Sequence, residues 1–220
     1  MSRAVRFLLA LALLVPAAGH AQEEYGLRTL AFQGVGVSAF QVVPARSDAT
    51  LGVHVVGYLG RLAPNLRVTP SLTFWATRLQ DQEVIRVRQR VEALCEGAGA
   101  PCTGLEFGDV DLSDLSLDLD AQYILEGPFA LRPYVGAGAG LHLVNGGGEL
   151  IDNTFVEEIL DAITPGLNVM AGIEVPLFRG LRLNGELRGV LAGGANWVGA
   201  GVGGSLVLPT RRAQAAEAPR

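Results

Sequence analysis

Lysine is missing from this chain of 220 residues; all 17 basic residues are arginine, the bias of a GC-rich coding sequence. Against 22 acidic residues they leave a formal charge of −5, without the basic footprint that nucleic-acid binding requires. Cysteine is scarce, with two residues and no clustered histidine, which makes a poor zinc site. Charged residues are only 18% of the chain while hydrophobic residues are 49%, so it is not a disordered polymer. The 29 glycines carry no G-X-Y period, which excludes a collagen-like helix. Beyond residue 21 no run of about 18 uncharged apolar residues occurs, so no helix spans a membrane.

The one apolar run stands at the start. Arg3 and Arg6 precede FLLALALLVPAAG (7–19) and the small-residue exit Gly19-His20-Ala21. A basic region, a short apolar core and a small-residue exit make a secretory signal peptide, residues 1–21, cleaved after Ala21. Loss of Arg3 and Arg6 moves the formal charge from −5 to −7. In an exported chain the close pair Cys95 and Cys102, with EGAGAP between them, is expected to form a local disulfide.

What fills the rest is alternation with a period of two, in segments of about 10–13 residues, the length of a tilted strand crossing a bilayer. In LRLNGELRGVL (181–191), Leu181, Leu183, Leu187 and Leu191 oppose Arg182, Asn184, Glu186 and Arg188. LSLDLDAQYIL (115–125) sets Leu115, Leu117, Leu119, Tyr123 and Leu125 against Ser116, Asp118, Asp120 and Gln122. LRVTPSLTFWATR (66–78) places Arg67 opposite its leucines, and LNVMAGIEVPL (167–177) does the same with Glu174. Weaker candidates lie at 26–40, 50–62 and 196–208. RPYVGAGAGLHLV (132–144) completes the set, with Arg132, Gly136, Gly138, Gly140 and His142 on one face. Eight strands result, and an even number suits a closed bacterial barrel.

The connections alternate in length. Short turns at 63–65, 126–128 and 178–180 carry Pro, Gly and Asn; longer links are expected at 41–49, 79–113 and 145–165, and 192–195 is short where a long link would fit the pattern. Short turns on one side and long loops on the other imply apolar faces turned to lipid, charged faces turned inward, and both termini on the periplasmic side. Arg67, Asp118, Asp120, Arg132, Glu174, Arg182, Glu186 and Arg188 then form a lumen network of four basic and four acidic groups. Balanced charge in a narrow lumen pairs into a plug, because unpaired buried charge is expensive. Gly136, Gly138, Gly140, Gly199, Gly201 and Gly203 make room for it.

RPYVGAGAGLHLV, with the leader and the loop pattern, resembles the signature strand of the small outer-membrane β-barrel domain family, the OmpA/OmpX-like eight-stranded barrels. The resemblance covers about 26–208. It implies an all-β fold: an eight-stranded antiparallel transmembrane up-and-down barrel over 22–208, inserted by the outer-membrane assembly machinery. Such barrels usually end in an aromatic residue; here GSLVL ends on Leu208 and a polar tail, 209–220, follows.

Other motifs yield little. GAGVGG (199–204) matches G-x-G-x-x-G, but the helix and acidic residue of a dinucleotide site are missing behind it. DVDLSDLSLDLD begins like a calcium loop and puts Asp114 where glycine is required. His54 and His142 fall on the inward face and suit hydrogen-bonded fillers. The long links each carry a helix pattern. Val84, Val87, Val91 and Leu94 space as a helix over 81–97, and Thr154 with Glu157 is a capping box for 154–163. The first segment bears Arg86, Arg88 and Arg90, the second Glu157, Glu158 and Asp161, so the two are expected to pack as a lid. The expectation is a monomer of the outer membrane with a structural or surface role, without catalysis, cofactor or metal, its partners lipid and an unnamed ligand of the loops. A narrow passive channel is one alternative; an exported soluble barrel around an apolar ligand is another.

Overall fold

The computed structural model describes residues 26–27, 30–98, 108–125, 131–147, 162–178 and 180–208. The signal segment, both residues of the capping box, Cys102 and the polar tail lie outside these, and with Cys102 the expected disulfide does too. The strands are β1 (Gly34–Pro44), β2 (Thr50–Tyr58), β3 (Arg61–Ala63), β4 (Leu66–Arg78), β5 (Asp111–Ile124), β6 (Arg132–Gly147), β7 (Ala162–Phe178), β8 (Leu181–Ala192) and β9 (Trp197–Val207). Among the described residues one helix, α1 (Asp81–Ala98), follows β4.

Apart from β2 and β3, each strand pairs antiparallel with its sequence neighbour, and the ring closes where β1 meets β9, from Gly34↔Val207 to Pro44↔Trp197. Both β2 and β3 pair with β4. They are two pieces of one strand, interrupted at Gly60, whose φ of 100° the L side chains rarely adopt. Nine segments therefore make an eight-stranded barrel, with every interior ladder closed on both sides.

The details move some expected boundaries. β1 begins later and runs further than 26–40, because its alternation persists to Pro44 opposite Trp197. β6 and β7 reach into the expected 145–165 link, ending at Gly147 and starting at Ala162. Ala162 and Ile163, the last two residues of the expected second helix, are therefore strand. The link at 192–195 is a tight turn, as its two glycines require. α1 forms over the segment whose valine spacing predicts a helix.

The inside-out distribution decides the setting of this barrel. Leu167, Val169, Leu187, Leu191, Val198 and Val202 are 60–72% exposed on the outer face. Inside, Asp114, Asp118, Asp120, Glu174 and Arg188 are no more than 3% exposed. A soluble barrel around an apolar ligand would require the reverse, so that alternative is overturned. Only a bilayer covers such an outer surface without cost. Replacing Leu187 by Arg is expected to destabilise the folded state in vesicles by about 2–4 kcal/mol. Urea titration read by tryptophan emission measures it, and a change under about 0.5 kcal/mol would place Leu187 outside the hydrocarbon.

Candidate functional site

The interior is the part of the molecule where chemistry concentrates, and it is layered from the turn end to the loop end. Alternation places every second residue inward, and the register decides which of those meet.

Nearest the turns, Arg67 lies 2.5 Å from Glu174 and donates from Nε to Gln122 Oε1 at 2.7 Å. Its guanidinium also sits between two rings, 5.0 Å from the centre of Tyr58 and 5.1 Å from that of Tyr134. Such stacking suits guanidinium, which is more weakly hydrated than ammonium. Arg182 donates to the other oxygen of Glu174 at 3.1 Å. Arg132 is half-buried directly across the β6–β7 ladder from Glu174, with no ion pair to it among the described residues.

The middle layer centres on Arg188. It donates to Glu186 and to Asp120, both at 2.9 Å. Tyr134 donates its hydroxyl to Glu186 at 2.7 Å, and Ser71 donates to Asp120 at 3.3 Å. Asp118 accepts from Ser116 at 2.9 Å and from Asn168 at 3.0 Å. Above it, His142 Nδ1 lies 2.9 Å from Asp114, and His54 contacts Thr73 at 3.0 Å.

The eight charges named from the sequence thus all line one interior, and seven of them hold the contacts just given. Asp114 was missed as a member, although its inward parity beside Ser116 and Asp118 was the available signal. The six glycines line the same face. A Cβ at Gly138 would collide with the Asp120 carboxylate, one at Gly140 with that of Asp118, and one at Gly201 with the ring of Phe40. Their missing side chains are the space those groups occupy.

The loop end differs from every expectation of a polar lumen. Phe40, Val42, Trp75, Leu112, Val144, Val190 and Trp197 fill it with apolar bulk at 0–7% exposure. Val91 of α1 joins this cluster, with Val84 and Val87 packed against it. Three valines of the stripe expected from the sequence, Val84, Val87 and Val91, are thus seated on the barrel mouth. The seven residues could have been found by carrying the inward parity to the ends of the strands. Seated on apolar bulk, α1 is expected to come away in a Val91→Asp variant while the barrel persists. Trypsin should then cut at Arg86–Arg90 in minutes; unchanged resistance would mean that α1 is held by something other than this cluster.

Comparison with solved structures places this architecture. The fold is similar to that of Neisserial surface protein A (NspA), with a TM-score of 0.51 at 12% identity over 80% of this chain and 96% of that one. The N-terminal β-barrel domain of Pseudomonas aeruginosa OprF also matches, at TM-score 0.42 and 15% identity over 80% of this chain and 98% of that one. So does Ail, the attachment invasion locus protein of Yersinia pestis, at TM-score 0.42 and 12% identity over 80% and 95%. At these identities the likeness is one of fold. No protein-family model matches the sequence, and no curated protein matches it.

Proposed function

We propose that this chain is an exported bacterial outer-membrane protein whose role is structural or surface-interactive, with a closed interior and no catalytic duty. Residues 1–21 direct export, and the barrel anchors α1 and the link after β6 on the outer side. The observation that carries this reading is the interior itself. Its charges point at one another across strands, as when Arg188 bridges Glu186 and Asp120, and an apolar cap sits above them. A conducting lumen would hold a continuous wet path; a dry apolar constriction opposes ions. Disulfide closure between Cys95 and Cys102 would staple the loop that follows α1, and the loops are the surface an extracellular ligand would meet first.

Two experiments test it. Unboiled protein should migrate faster than boiled protein on a detergent gel and sediment with the outer-membrane fraction. Liposomes carrying the refolded protein should then swell no faster than empty ones in arabinose. Equal mobility with and without boiling would overturn the membrane barrel; swelling would favour the narrow channel.

A further inference from the structure

The turn end of the interior is electrically unlike the layers above it. A cavity of about 80 Å³ opens there, lined by Gln33, Tyr58, Arg61, Arg67, Arg182 and Val207 among others. Three guanidiniums thus converge on it. The carboxylate that answers them is Glu174, which already takes both Arg67 and Arg182. Arg61 is left to donate to the backbone oxygen of Pro64 at 2.8 Å. Arg132 adds a fourth positive charge across the ladder from Glu174. Among the described residues, three arginines lining the cavity and Arg132 across the ladder are answered by one carboxylate, and Arg67, 6% exposed, cannot spread its share into water.

The other acidic groups of the described interior lie elsewhere. Asp114 and Asp118 face His142, while Asp120 and Glu186 take Arg188. The interior is therefore polarised along its axis, acidic toward the loops and basic toward the turns. Ser205, buried on the inner face and directly across from Arg182, adds a neutral hydroxyl to the basic end. The tail that continues past Val207 carries Arg211, Arg212 and Arg220 against Glu217, so its sequence has the same sign.

We propose that this cavity binds a small oxyanion, a phosphate or a carboxylate, that enters from the turn-end mouth. The planar fork of arginine matches two oxygens of either group, and charge-assisted hydrogen bonds of this kind are the strong ones. The cavity admits the charged end of a ligand and little else, so a larger molecule would present a terminal phosphate or carboxylate to it. Arg61 and Arg182 would close on the anion, and Arg67 would supply field from behind.

The full mature chain, refolded in neutral detergent, can be titrated with sodium phosphate, sodium acetate or sodium chloride at equal ionic strength while its unfolding midpoint is followed. Phosphate, acetate or both are expected to raise the midpoint above the chloride value. Phosphate alone would identify a phosphoryl ligand, acetate alone a carboxylate ligand, and both a general oxyanion site. Arg61→Gln removes a guanidinium that has no ion-pair partner among the described residues, so it should fold normally and bind at least about tenfold more weakly. Arg182→Gln should abolish the increment. Neither anion exceeding chloride in the unaltered protein, or an unchanged increment in both variants, would overturn the proposal.

Discussion

Arg188→Ala is expected to destabilise the barrel by about 3–5 kcal/mol, the range for breaking a buried ion pair by removing one partner. The side chain is 1% exposed and satisfies two carboxylates at once, Glu186 and Asp120. Deleting it leaves both acids facing each other in a layer that already holds Asp118. Among the described residues nothing else in that layer is cationic, and His142 above it is engaged with Asp114. The loss would therefore reflect stranded charge more than lost attraction. A triple variant, Arg188→Ala with Asp120→Asn and Glu186→Gln, should recover most of it, since neutral amides remove the stranded charge. Urea unfolding in vesicles measures both. A loss under about 1 kcal/mol for the single variant would mean that water reaches these carboxylates, which is also what a conducting interior would require. Single-channel recording on the same variant should show a conductance rise if the network is what blocks the axis.

Gly138→Val is expected to prevent closure altogether, seen as protein that keeps its unfolded mobility on an unboiled gel. A Cβ there meets the Asp120 carboxylate and, at 2.8 Å, the backbone oxygen of Leu119. Asp120 is already committed to Arg188 and Ser71, and the backbone belongs to a continuous ladder, so neither can withdraw. Gly189→Ala is the matched control. It faces outward, its nearest neighbours are Val169 and Val198 side chains at 3.8 and 4.0 Å, and it should fold like the parent. If both variants close equally well, the inner glycines are not there to make room.

The contrast between those two glycines shows how far the sequence could be read. Which face a residue takes follows from parity, so Gly138 and Arg188 could be placed inside and Leu187 outside without coordinates. Closure could be inferred because eight alternating segments leave no edge when paired in order. What parity could not supply is height. Arg188 meets Asp120, 68 positions away in sequence, only because the β5–β6, β6–β7 and β7–β8 registers bring them to one level. The apolar cap escaped because Phe40, Trp75 and Trp197 are apolar residues on the inward parity, the face expected to be polar. The interruption at Gly60 lay inside the candidate segment 50–62, which alternation alone did not divide.

The joint between β1 and β9 bears on how the chain is made. Its two halves lie at opposite ends of the polypeptide, so a nascent chain short of Trp197–Val207 has an unmated margin on β1 and another on β8. Contacts between such distant segments form late. A ribosome that stalls before the eleven residues of β9 would release an open, adhesive ribbon, and whatever escorts this protein must hold it until the final strand has emerged.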